Sequence, residues 1–276
     1  MMKKLWCVLL VLMLVFVTLS CGPQGGSPAA GAAAANNLQR IIDSGVLRAG
    51  LSLNGPPIGG RDNKGEPYGY DVDFAQKMAE TLGVKLEVID VDGSTRIAAL
   101  TSGRIDVAFA NMTGTLERAK TIDFSIPYLK SGIKMMVRTG TAFKDVEDLN
   151  MPSVKIGVGR GTTGEELALK FAPKAEIVYV SDFTDQILLL RQSKVDAVFE
   201  DSTLIDFTAG QSNGTLTAPP RMYSSDPICI GLPKGDMEFV RWVDMFVSWM
   251  ISSGWQAETY EKWWGTPPSA NLTVIW

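Results

Sequence analysis

The stretch Ala110-Asn111-Met112-Thr113-Gly114-Thr115-Leu116-Glu117-Arg118 gathers an amide, two threonine hydroxyls and a guanidinium within one short segment. It follows the apolar run Ile105 to Phe109, which reads as a strand. Its polar groups are therefore expected in a loop at that strand's C-terminal end, where open α/β sheets usually take their ligands. A planar guanidinium can grip both oxygens of a carboxylate, which a lysine ammonium cannot do. The chemistry on offer is recognition of a small ligand bearing a carboxylate. The competing reading is plain helix capping, with Thr115 at the cap and Arg118 solvated in the first turn.

A second stretch has the same construction. Ile97 to Asn111 resembles Ile187 to Asp201, each residue of the second lying 90 positions beyond its match. Both run helix, turn, basic residue, strand and polar loop. Two lobes built this way and facing one another would set Asn111 against Asp201 across a cleft. Without the repeat, Asp201 reads only as the N-cap of a helix from Ser202 to Phe207, and Thr162 and Thr163 read as capping residues too.

The elements that must position these residues alternate along the chain. Strands are expected at Val46–Leu51, Val84–Val88 and Ile105–Phe109, with helices at Leu38–Ile42, Asp71–Leu82 and Arg96–Ser102. Phe74, Met78 and Leu82 stack on one face of the second helix, and Gly83 stops it. A second unit repeats the alternation: strands at Val154–Val158, Ile177–Val180 and Val195–Phe199, helices at Thr163–Phe171 and Phe183–Gln192. This order implies mainly parallel sheets with crossover helices, an α/β fold in two lobes. Met135–Val137 and Ile228–Leu232 read as the two crossings between lobes, which places residues 38–134 plus 228–276 in lobe 1 and 135–227 in lobe 2. Trp255, Trp263 and Trp264 read as packing anchors.

Composition removes several function classes. The chain of 276 residues contains no histidine, which excludes serine–histidine and cysteine–histidine nucleophiles and histidine-ligated metals. No metal, cofactor or catalytic residue is expected, and a net charge of −4 argues against nucleic acid as a partner. Lys3 and Lys4 precede an apolar run to Leu19, so residues 1–20 read as a signal peptide. Ser20-Cys21-Gly22 resembles a bacterial lipobox, and lipidation at Cys21 is expected. Residues 21–37, rich in glycine, alanine and polar groups, would then be the tether of a lipid anchor. Cys7 and Cys21 are thereby spent, so Cys229 has no disulfide partner and reads as a core residue.

Together, Gly69-Tyr70-Asp71-Val72-Asp73, the Met112 to Arg118 segment, Asp123-Phe124-Ser125-Ile126-Pro127-Tyr128, Gly161-Thr162-Thr163 and Trp263-Trp264-Gly265 resemble the type II periplasmic solute-binding proteins of amino-acid ABC transporters, the bacterial extracellular family 3. The resemblance implies a two-lobed type II fold, each lobe a mainly parallel sheet flanked by helices, joined by two hinge strands. It implies an extracytoplasmic monomer that captures a free α-amino acid and passes it to permease subunits. Arg118 with Thr113 and Thr163, beside Thr162, would hold the α-carboxylate, and Asp201 with Asn111 the α-ammonium. Relatives usually carry glycine or serine at the Asn111 position. The side-chain pocket would be formed by Ser52, Ile58, Gly93, Arg96, Gly159 and Glu200. The glycines at 55, 93, 159 and 164 imply a roomy pocket, or one filled from elsewhere by Ile58, Arg96 or Arg160. Arg96 suits an acidic side chain while Ser52 and Glu200 oppose one, so a polar amino acid or a larger derivative is expected.

Two rivals remain on the residues alone. Gly159 to Gly164 is a G-x-G-x-x-G between strand and helix, with Asp182 beyond it, as a dinucleotide site would want. Glu200 in a roomy, glycine-lined cleft, its pKa raised by burial, could act as the general acid of a lyase resembling cyclohexadienyl dehydratase.

Overall fold

The computed structural model describes residues 36–268; the expected signal peptide, the anchor at Cys21 and nearly all of the tether lie outside the described residues. Helix α1 (Asn37–Ser44) leads into β1 (Val46–Leu51), and a short hairpin of β2 (Gly60–Arg61) and β3 (Pro67–Tyr68) precedes α2 (Tyr70–Leu82). Then come β4 (Lys85–Asp90), α3 (Arg96–Thr101), β5 (Val107–Phe109) and the long β6 (Asp123–Ser131). The second group is β7 (Ile133–Arg138), β8 (Lys155–Gly159), α4 (Thr163–Phe171), β9 (Glu176–Val180), α5 (Phe183–Arg191), β10 (Ala197–Asp201), α6 (Ser202–Gly210) and β11 (Leu216–Thr217). β12 (Asp226–Leu232), α7 (Met237–Ser252) and α8 (Trp255–Trp264) return to the first.

The sheet orders are β4-β1-β5-β12-β6 and β9-β8-β10-β7-β11. In each, three strands run parallel and the fourth in the row is antiparallel to its neighbours. The two lobes are thus the same wiring used twice, and the repeated segment supplies the central strand of each. Its aspartate has the same task in both. Asp106 accepts the Arg48 N–H at 2.8 Å and Asp196 the Lys155 N–H at 2.9 Å, so each carboxylate pins the start of the neighbouring strand.

Local physics accounts for the elements. α2 buries Tyr70, Phe74 and Met78, and Gly83 closes it in the left-handed region, its N–H donating to the carbonyls of Ala79 and Glu80. Phe74 packs against Phe109, Tyr128, Phe246 and Trp255, joining helix, sheet and C-terminal helices in one core. Full burial of such a ring contributes about 1.5–3 kcal/mol. The tryptophans serve packing as expected, with Trp263 stacked on Tyr68 and Trp264 on Tyr260. Cys229 is buried, which pushes its thiol up to about 12.

The two apolar runs read as crossings each lie inside a single sheet: Met135–Val137 within β7 and Ile228–Leu232 within β12. The chain passes between sheets just outside them, at Gly132 and around Ser225, where polar and small residues replace the apolar ones that a sheet interior needs. These two passages run side by side. The Tyr223 N–H donates to the Ile133 carbonyl at 2.8 Å and the Ile133 N–H to Ser224 Oγ at 2.8 Å. A Cβ on Gly132 would stand 2.2 Å from the Ser224 carbonyl oxygen, so the close approach itself requires glycine.

Candidate ligand-binding site

The central strands β5 and β10 end at the interface between lobes. Beyond β5, Asn111 takes φ +45°, a left-handed conformation that asparagine tolerates. Buried Asp71 holds that turn, accepting the Asn111 N–H at 2.9 Å and the Tyr128 hydroxyl at 2.5 Å; burial pushes the Asp71 carboxyl up to about 6. The Asn111 side chain then reaches the opposite lobe, where Nδ2 donates to Asp201 Oδ2 at 2.8 Å. The repeat-related residues thus meet across the interface. Asp201 makes no side-chain capping bond to α6, although it stands at that helix's N-cap. It is 3% exposed, and burial, reinforced by the neighbouring Glu200, pushes it up to about 8.

A cavity of about 60 Å³ lies here between the lobes. It is lined by Asn111, Thr113, Thr162, Thr163 and Asp201, and by Ser52, Ile58, Gly93, Arg96, Gly159 and Glu200. Every site residue named from the sequence is therefore gathered on one surface except Arg118. Arg118 is buried off that surface, with Nη1 donating to the Thr113 carbonyl at 2.8 Å and Nη2 to the Gly161 carbonyl of the other lobe at 3.0 Å. The Thr115 hydroxyl also accepts the Arg118 N–H at 3.2 Å, but Glu117 rather than Thr115 stands at the N-cap of the one-turn helix Arg118–Lys120, and the Arg118 side chain is not solvated. Burial lowers the Arg118 guanidinium from its usual value, while Glu166, Asp201 and Asp226 oppose that shift.

Arg96 opens α3 and turns inward, Nη1 donating to the Ala110 carbonyl at 2.7 Å. Burial and the like charge of Arg118 bring it down to about 10. Thr162 caps α4, accepting the Glu165 N–H at 3.2 Å, and the Glu165 carboxylate takes the Gly161 N–H at 2.6 Å. Four buried polar atoms on this lining lack any hydrogen-bond partner: Arg96 Nε, Asn111 Oδ1, Gln186 Oε1 and Asp201 Oδ1. An unpaired buried polar atom costs about 1–3 kcal/mol, so the arrangement is built to receive a polar guest.

A profile of the bacterial extracellular solute-binding proteins, family 3, matches residues 47–266. The chain belongs to that family. Among its relatives is the L-cystine-binding protein TcyJ of Escherichia coli, 30% identical over 230 residues, covering 83% of this chain and 86% of the relative. Another is the ABC transporter glutamine-binding protein GlnH of Bacillus subtilis, 29% identical over 269 residues, 95% of this chain and 97% of that one. The crystal structure of the ancestral amino acid-binding protein AncCDT-1, a precursor of cyclohexadienyl dehydratase, superposes with a TM-score of 0.78 at 33% identity, covering 82% of this chain and 99% of that one. The family-3 chain accordingly has the two-lobed type II fold.

Gly93 and Gly164 do not make the family-3 cleft roomy, whereas Gly55 and Gly159 lie on its lining and face only side chains. A Cβ on Gly93 would meet the Arg160 carbonyl oxygen at 2.7 Å, and one on Gly161, at φ +75°, the Gly93 carbonyl oxygen at 2.7 Å. These glycines let two backbones from opposite lobes touch. Gly164 likewise sits on β10, where a Cβ would be 2.5 Å from the Phe199 carbonyl oxygen. Ile58 and Arg96 fill the lining, whereas Arg160 lies over the Tyr179 ring, 3.8 Å from its centroid. Asp182, the acid of the dinucleotide reading, is occupied capping α5, accepting the Asp185 N–H at 2.9 Å.

Sequence reasoning missed Asn54, Asp92, Gln186 and Leu204 on the lining. Gln186 had a signal. It stands 90 residues beyond Arg96, so extending the repeat by one position pairs the two. It also interrupts the buried face of α5 between Phe183 and Leu190. Asn54 had none, since it belongs to a loop whose partner is remote: its carbonyl accepts the Thr184 hydroxyl of the other lobe at 2.8 Å.

Proposed function

We propose that this chain is the extracytoplasmic capture subunit of an ABC importer for an α-amino acid with a polar side chain. The observation that carries the reading is the meeting of Asn111 and Asp201 at the ends of equivalent strands, beside a cavity lined with unpartnered polar atoms. In the proposed cycle the lobes part about Gly132 and Ser225, an amino acid enters, and the lobes close on it. Asp201 and Asn111 Oδ1 take the α-ammonium. Arg118 exchanges its Gly161 bond for the α-carboxylate, with Thr113 and the start of α4 at Thr163 beside it. A ligand that touches both lobes only when they are closed favours the closed form. The protein acts as a monomer and hands its ligand to the permease subunits.

A thermal-shift screen of L-amino acids at saturating concentration is expected to raise Tm for a restricted set, because a ligand that binds only the folded protein stabilises it. No shift with any amino acid would overturn the reading. The lyase reading draws on the precursor relationship of AncCDT-1 and on Glu200, whose carboxyl burial raises. It is weaker, because Asp201 and Arg118 keep the pair of charges that suits both ends of an amino acid.

The lipid anchor belongs to the same proposal. Its basis is the sequence around Cys21 and the extracellular character of the family. Among the described residues no helix is long and apolar enough to cross a membrane. Intact-mass analysis of protein extracted from membranes is expected to find an acylated Cys21 at the N-terminus. Cys21→Ser should move the protein to the soluble fraction; unchanged membrane retention would sink the anchor.

A further inference from the structure

The cavity holds two neighbouring carboxylates, Glu200 at 8% and Asp201 at 3% exposure. Their polar contacts are all neutral. Glu200 accepts the Gln186 amide at 3.2 Å and the Asp201 N–H at 3.3 Å, and Asp201 accepts the Asn111 amide at 2.8 Å. Among the described residues neither acid forms an ion pair with a lysine or arginine: the cationic lining residue Arg96 turns Nη1 to the Ala110 carbonyl instead. Asp92 and Asp182 line the same cavity, so four acids stand against one arginine.

The unpartnered atoms have the same bias. Asn111 Oδ1 and Gln186 Oε1 are acceptors, Asp201 Oδ1 becomes one when its carboxyl ionises, and only Arg96 Nε is a fixed donor. The α-ammonium of an amino acid answers the pair formed by Asn111 and Asp201. It leaves Glu200 and Gln186 Oε1 facing the rest of the ligand, a buried carboxylate beside a buried amide oxygen. Buried carboxylates without a cation are costly, and the group that relieves them is a charged nitrogen donor.

Resting on the amino-acid reading above, we infer that the ligand's side chain carries a second cationic nitrogen, a guanidinium or an ammonium, held by Glu200 and Gln186. Arginine, lysine and ornithine have such a group, and so does cystine through its second α-ammonium. Cystine's second carboxylate would meet the free donor of Arg96.

The test compares ligands of similar shape by isothermal titration calorimetry on the wild-type protein: arginine against citrulline, lysine against norleucine, and cystine against the mixed disulfide of cysteine and 3-mercaptopropionate, which lacks only the second ammonium. At least one cationic member is expected to bind about ten- to hundredfold tighter than its neutral counterpart, the range for one charge-assisted contact. Glu200→Gln should remove that preference while changing the affinity for the neutral member only a few-fold, a pattern that a structural role for Glu200 would not produce. If citrulline, norleucine or glutamine binds as tightly as every cationic ligand, the inference falls and the amino-acid reading stands. If no amino acid binds, both fall. The wild-type comparison decides even if the variant does not fold.

Discussion

Arg118→Ala is expected to lose about 3–5 kcal/mol of amino-acid affinity, the usual result of stripping one side of a desolvated charge pair. The side chain is 8% exposed and its two recorded bonds go to carbonyl oxygens, one of which, on Gly161, belongs to the opposite lobe. Removing it would therefore take away a carboxylate partner and one bond that spans the closed lobes. Calorimetric titration with the best ligand of the thermal screen would measure the loss, with circular dichroism showing that the variant is folded. Arg118→Lys is expected to fall between the two, since it keeps the charge but not the fork that can hold a carbonyl and a carboxylate together. Because Arg118 is not on the cavity lining, a variant that bound amino acids like the wild type would return it to a purely structural role, bracing Thr113 against Gly161.

Most of the fold could be read because its signals are local. Alternating apolar runs, helix stops such as Gly83 and the 90-residue repeat each need only a short window of sequence, and they carried the two-lobed α/β fold. β6 could not be read in that way. Its Pro127 speaks against a strand, yet β6 is the edge of its sheet and pairs with β12 through two register shifts around Cys229. An edge with bulges is where proline is tolerated. The glycines misled for a related reason. In the sequence a glycine opposite a ligand and a glycine opposite another backbone look the same, and only the folded lobes show Gly93 and Gly161 touching. The cavity residues gained from the repeat, while Arg118, matched through its motif, is not on the lining and bonds the Thr113 and Gly161 carbonyls. Gln186 lies one position outside the segment where the repeat is obvious, so nothing in that segment marks a polar residue on a buried helix face.

Asp201 gives the second large effect, and its sign follows from where the proton sits. Burial and Glu200 push its carboxyl up to about 8 in the unliganded protein, whereas an ammonium at 2.7–2.9 Å, the usual span of a charge-assisted contact, would hold it ionised. Ligand binding is therefore expected to release a proton at neutral pH, seen by titration calorimetry in two buffers of different ionisation enthalpy. Affinity should climb by up to about tenfold per pH unit between about pH 6 and about pH 8, then level off. Stability of the unliganded protein runs the other way. The folded chain keeps the Asp201 proton to about 8 while the unfolded chain gives it up near the ordinary value of 3.8, so unfolding releases a proton between those limits and the contribution of this group falls as pH rises through them. Asp201→Asn preserves an acceptor for the Asn111 amide but removes the charge. It should cost about 2–5 kcal/mol of affinity, reduce the proton release and flatten the affinity profile. An Asp201→Asn protein that kept wild-type affinity and the full proton release would move the titrating group to Glu200, and the α-ammonium with it.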